Sequence, residues 1–102
     1  MEQIYIDISK MLKAMSEPKR LRIVDMLSCG ELCACKILEE FNITQPTLSH
    51  HMKVLSEADL VSSRRDGKNI FYQINCDTFS QFREFFNDTV CCGPENGGNC
   101  CE

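Results

Sequence analysis

Between residues 2 and 15 the apolar side chains Ile4, Ile8, Met11, Leu12 and Met15 recur at spacings of four, three, one and three, the stripe of an amphipathic helix. A second helix follows. Ser16 is placed to cap it, Pro18 suits its first turn, and Leu21, Val24 and Leu27 mark its apolar face until Cys29-Gly30 stops it. The run ELCACKILEEF, residues 31–41, predicts a short third helix with two cysteines in its first turn. After a break at Asn42, Thr44 is a candidate N-cap for a fourth helix in which Pro46 sits in the first turn and Leu48, Met52 and Leu55 repeat at helical spacing.

LVSSRRDGKNIFYQI then loses the helical period, and β-branched and aromatic positions flank Asp66-Gly67, a hairpin signal. Asn75 or Asp77 can cap a last helix with Phe79, Phe82, Phe86 and Val90 on one face and Phe85 at its border. The end, CCGPENGGNCCE, is rich in glycine and broken by proline. These elements predict a mostly α fold with a small β-hairpin: a winged helix-turn-helix of about five helices and a two-stranded wing. Residues 1–90 form its DNA-binding and dimerisation domain, and 91–102 a flexible cysteine-rich tail.

Composition narrows the chemistry. A chain of 102 residues fits one domain with an ordinary core. No apolar run approaches the roughly 20 residues of a bilayer span, and MEQIYIDISK carries acids where a secretory leader carries bases, which points to a cytoplasmic protein without a membrane partner. Eight cysteines approach the density of a disulfide scaffold, yet 43% hydrophobic residues in helical patterns make such stapling unnecessary. In a reducing compartment clustered thiols are more often ligands or redox sensors. The net charge of -4 argues against a uniformly basic surface, so any nucleic-acid contact must be a local patch.

That patch is legible. Gln45, Thr47, Ser49 and His50 fall in the first two turns of the fourth helix, where short or flexible polar side chains reach base edges, and Lys53 lies one turn on, better placed for phosphate. Arg64, Arg65 and Lys68 surround the hairpin turn. A polar helix face alone is usually just solvated, and a basic turn is usually just surface. Their succession along one chain, in the order that lets both touch one duplex, is what favours DNA.

The run from ELCACKIL to NIFYQI closely resembles the ArsR/SmtB family of metal-responsive repressors, with SEPKRLRIVDML matching the family's second helix and TQPTLSHHMKVL its recognition helix. The resemblance covers residues from roughly 5 to 90. It implies a homodimer assembled through the first and last helices, bound to a palindromic double-stranded operator and released when a toxic ion arrives. Four phenylalanines on the last helix of so small a chain support the dimer separately.

Cys33 and Cys35 resemble the leading ligands of the family's ELCxC motif, which in arsenic-responsive members holds trivalent arsenic or antimony. The third thiol that follows in several members is missing: Ile37 and Leu38 stand where it would be. Cys91 and Cys92 are the candidates to complete the site, with Cys100 and Cys101 a second vicinal pair; Cys29 is a second candidate for the third ligand but reads better as packed at a helix end, and Cys76 reads as a packed residue. Soft thiolates suit soft ions, so cadmium, lead and zinc are alternative inducers. The zinc-sensing branch places histidines on the last helix, and residues 77–90 contain none. In an ideal helix two side chains two residues apart point about 200° apart, so chelation by Cys33 and Cys35 should unwind the first turn of the third helix and, through its packing, disturb the recognition helix.

Three rivals have their own signatures. Catalysis by Ser49, His50 and His51 lacks an orienting carboxylate, and adjacent helical side chains diverge by about 100°. A redox regulator would close thiol pairs into disulfides. A soft-metal carrier would show only weak, salt-sensitive attraction to any duplex.

Overall fold

The first helix, α1, runs Gln3–Ala14 and buries Ile8, Met11 and Ala14. Ile4 and Leu12 belong to the predicted stripe but are 38% and 44% exposed, and with Tyr5 and Ile6 they leave an apolar surface on this helix. The computed structural model describes residues 2–89, so Val90, Cys91, Cys92, Cys100 and Cys101 lie outside the described residues.

α2 runs Pro18–Leu27 and is capped by Glu17 rather than Ser16. The Glu17 carboxylate accepts the N–H groups of Lys19 and Arg20 at 3.1 and 3.3 Å, while the Ser16 hydroxyl donates backwards to the Lys13 carbonyl at 2.8 Å. Its inward residues are Ile23 and Leu27; Leu21, expected on that face, is 54% exposed. Gly30 ends the turn with a φ of +135°, which only glycine adopts freely.

The third helix differs most from expectation. Leu32 and Cys33 form a short strand, β1, opposite Tyr72 and Phe71, and α3 spans only Ala34–Glu39. Cys33 is therefore extended, at φ -69° and ψ 145°, and serves as the N-cap of α3. Cross-strand pairing outcompetes one further helical turn, because α3 has a single fully buried anchor, Ile37.

α4 runs Gln45–Glu57 under the predicted Thr44 cap, whose Oγ1 accepts the Thr47 N–H at 3.4 Å, and it buries Leu48, His51, Met52 and Leu55. Its end is a Schellman turn. Asp59 takes the left-handed conformation at φ 65°, its N–H reaches Ser56 O at 2.9 Å, and the Leu60 N–H reaches Leu55 O at 3.0 Å. Leu60 is fully buried there and delivers the chain into β2, Val61–Asp66.

β2 and β3 (Asn69–Ile74) form the expected hairpin. Gly67 carries a φ of +63° at the first loop position, the arrangement of a type II′ turn, and Asp66 pairs with Asn69 across it. The sheet has three antiparallel strands in the order β1-β3-β2, not two. α5, Cys76–Thr89, starts beneath Asn75, whose Oδ1 accepts the Thr78 N–H at 3.4 Å. Phe79 meets Phe82 edge-on and Phe82 meets Phe86 at a tilt along this helix, and Tyr5 of α1 meets Phe85 edge-on at 6.3 Å between centroids. No helix among the described residues is long and apolar enough to cross a membrane.

Candidate DNA-binding face and thiol site

At 100° per residue the four buried side chains of α4 share one side, which places Ser49, His50 and Lys53 on the opposite crest and Gln45 and Thr47 on its flanks. All five are exposed. Thr47 is partly engaged, its hydroxyl bonded to that of Thr44 at 3.0 Å.

His51, beside this crest, belongs to the scaffold. Its Nδ1 lies 3.2 Å from Arg20 Nη1. A guanidinium only donates, so Nδ1 accepts and the ring proton sits on Nε2, which faces Glu17 Oε2 at 3.8 Å. Arg20 Nε also donates to the Ala14 carbonyl at 2.6 Å, so one side chain joins the end of α1, the start of α2 and the middle of α4. Burial, assisted by Arg20, pushes the His51 pKa below its usual value, and Glu17 opposes the shift without cancelling it.

The three wing cations part company. Successive strand residues face opposite sides of a sheet, so Arg64 and Arg65 do not share a surface. Arg65 and Lys68 are exposed and, among the described residues, form no ion pair. Arg64 is occupied: its Nε and Nη2 donate to Glu31 Oε2 and Oε1 at 2.9 and 2.7 Å, and its guanidinium carbon lies 4.5 Å from the centroid of the Phe71 ring. The guanidinium holds the Glu31 carboxyl below the usual carboxylate range.

The thiol pair meets without unwinding. Because Cys33 precedes α3, its side chain is not set by helical rotation, and the Cys35 thiol donates to Cys33 Sγ at 2.7 Å. The Cys35 N–H also points at Cys33 Sγ, at 3.4 Å. Those two bonds lower the Cys33 pKa, and the proton shared with Cys33 raises that of Cys35, so Cys33 is the readier of the two to ionise. The expectation that the two sulfurs diverge is thus corrected; α3 also packs on β3 and β1, beside the α4 side chains that Ile37 joins in the core.

Two soft donors suit a soft ion, and among the described residues no third His, Cys, Asp or Glu side chain joins the pair. Cys29 and Cys76, read from sequence as packed, are both exposed. Sequence reasoning passes over Glu31, Arg20 and Phe71, whose partners lie far along the chain.

The family model described as "Bacterial regulatory protein, arsR family" matches residues 17–63. An arsenical resistance operon repressor of Staphylococcus xylosus is 48% identical over 86 residues, 84% of this chain and 79% of the relative. One from Staphylococcus aureus is 55% identical over 71 residues, 70% of this chain and 68% of its own. Among solved structures, a possible transcriptional regulator for arsenical resistance superposes with a TM-score of 0.71 at 30% identity, covering 84% of this chain and 88% of the other.

Proposed function

Since the chain belongs to the ArsR family of bacterial regulatory proteins, a family of transcriptional repressors and not of enzymes, we propose that it is a cytoplasmic repressor released from a palindromic operator by trivalent arsenic or antimony. The observation that carries this reading is the Cys33–Cys35 pair, two thiols with sulfurs 2.7 Å apart on the segment between α2 and the recognition helix.

DNA binding rests on the exposed crest of α4. Gln45, Thr47, Ser49 and His50 face the major groove in this reading, Lys53 and the wing cations Arg65 and Lys68 the phosphates. A homodimer supplies the second half-site. The apolar side chains exposed on α1, beside the Tyr5–Phe85 contact that ties α1 to α5, support assembly through the first and last helices.

The inducer is a signal rather than a resident cofactor. Thiolates at Cys33 and Cys35 provide two bonds, and Cys91 or Cys92, just past the end of α5 in sequence, provides the third. Binding puts the ion in place of the proton that the two sulfurs share. It also takes the Cys33 sulfur from the Cys35 N–H that it caps.

The deciding experiment titrates the purified, reduced dimer on its upstream DNA with arsenite, cadmium and zinc in parallel, following fluorescence anisotropy. Release by arsenite at the lowest concentration is expected. Release by cadmium alone reassigns the ion. The same sulfur proximity favours a second reading, in which an oxidant such as peroxide takes two electrons and two protons from Cys33 and Cys35; release by peroxide but not arsenite, reversed by dithiothreitol, selects it.

A further inference from the structure

Glu31 stands one residue before β1 and two before Cys33, and it holds the wing residue Arg64 through two N–H···O bonds of 2.9 and 2.7 Å. The strand register places Cys33 opposite Phe71 and Phe71 opposite Arg64. Residues paired in this way share a face, so a single row across the sheet carries the thiol, the ring and the guanidinium, with the guanidinium carbon 4.5 Å from the ring centroid.

We propose that Glu31 is the positioning residue through which ion occupancy of the Cys33–Cys35 pair reaches the wing, and that Arg64 serves this link rather than the DNA backbone. The inference rests on the reading of the thiol pair as the inducer site given above. Chelation draws the Cys33 sulfur away from the Cys35 N–H and replaces the proton that it shares with the Cys35 thiol. Cys33 is at once a β1 residue and the α3 cap, and both elements pack on β3, so this displacement enters the sheet directly. A bidentate fork tolerates little misalignment, so Arg64 must follow Glu31 or let go. Either outcome moves the β2 end of the wing, where Arg65 is the adjacent residue.

Folding energy does not explain the pair. Arg64 and Glu31 side chains are 53% and 28% exposed, and ion pairs open to solvent contribute little to stability. What the pair provides is geometry: two bonds that join the thiol segment directly to β2, a strand with which β1 does not pair.

The test uses the full reduced chain, the wild type beside E31Q and R64K, with upstream DNA followed by anisotropy with and without arsenite, and arsenite affinity read separately from thiolate-to-ion ultraviolet absorption. Wild type is expected to lose operator affinity roughly 5- to 150-fold on binding arsenite. E31Q, which keeps the shape but loses the carboxylate, should bind arsenite as the wild type does and operator within about twofold of it in the ion-free state, while its release ratio falls to within about threefold of unity. R64K keeps the charge without the fork and should lose the ratio equally. Release in E31Q at the full wild-type ratio overturns the link alone, as does a loss of arsenite affinity that accounts for the weaker release. Equal weakening of both DNA complexes, with the ratio intact, overturns it too and leaves Glu31 as a brace. Wild type that neither arsenite nor cadmium releases overturns both the inducer reading and the link.

Discussion

His51 Nδ1 accepts a hydrogen bond from Arg20 Nη1 at 3.2 Å, and this bond fixes a neutral imidazole between the recognition helix and the α1–α2 junction. Protonation would set an imidazolium against a guanidinium and convert the acceptor into a second donor. The network therefore stores a pH dependence that its sequence neighbours do not suggest.

The sign follows from linkage. The folded His51 pKa lies below the unfolded value of 6.5, so below pH 6.5 the unfolded chain binds more protons and stability falls with pH. The contribution is complete above pH 6.5 and is lost as pH drops from there toward the lowered value. Thermal unfolding at pH 7.5 and 5.5 should show a lower midpoint at pH 5.5, and the difference should shrink in His51→Gln, whose amide accepts from Arg20 without titrating. An equal pH difference in both proteins would assign the effect elsewhere.

Serine at Cys33 and Cys35 should abolish arsenite release, but the two positions differ in every other respect. Cys33 caps α3, and serine is a better cap than cysteine, so the unfolding midpoint of Cys33→Ser should equal or slightly exceed that of the wild type. Cys35→Ala removes the thiol donor that lowers the Cys33 pKa, which a serine hydroxyl would replace. Alkylation by iodoacetamide, mapped by mass spectrometry between pH 6 and 9, should modify Cys33 ahead of Cys35 at the lower pH values, and the fast reaction of Cys33 there should fade in Cys35→Ala. Equal rates at both sulfurs throughout would contradict the shared-proton arrangement.

Local signals are the legible ones. Thr44 with Pro46 and the Leu48, Met52, Leu55 spacing announce α4 because caps and helical period depend on neighbours in sequence, and Asp66-Gly67 announces the hairpin for the same reason. Pairings between distant residues are not announced. β1 exists only because Leu32 and Cys33 meet Tyr72 and Phe71, and that pairing takes Cys33 out of the helix where its spacing puts it. Ile23 rather than Leu21 turns inward because the Arg20 network and the Glu17 cap set the rotation of α2. The DNA-facing crest is readable as a set of residue types, whereas the engagement of Arg64 by Glu31 needs the sheet.

Salt dependence separates the wing cations. Removing one phosphate-bound cation reduces the slope of log K against log salt by about 0.9, so Arg65→Ala and Lys68→Ala should each lower it by about that amount per protomer. Arg64→Ala should change the slope by less than about half as much, because its charge is already answered by Glu31. Anisotropy titrations across a series of salt concentrations measure all three. A full decrement in Arg64→Ala would show that this guanidinium reaches phosphate after all.

The last prediction concerns what keeps the thiol pair in place. α3 is six residues long, too short to persist alone, and among its side chains only Ile37 is fully buried, inside the cluster formed with Leu48, Met52 and Leu55. Truncation there removes the anchor and leaves a cavity, at a cost of about 2–5 kcal/mol. Thermal denaturation of Ile37→Ala should show this loss, whereas Ile37→Val should cost only about 0.5–1.5 kcal/mol. The informative comparison is local. Without the anchor, α3 frays, Cys35 no longer faces its partner sulfur, and Cys33 loses the hydrogen bonds that lower its pKa. Alkylation of Cys33 at pH 6 should then slow in Ile37→Ala, measured well below its unfolding midpoint, and remain near the wild-type rate in Ile37→Val. A Cys33 that reacts as fast in Ile37→Ala as in the wild type would mean that its acidity comes from the sheet side of the junction and not from the helix it caps.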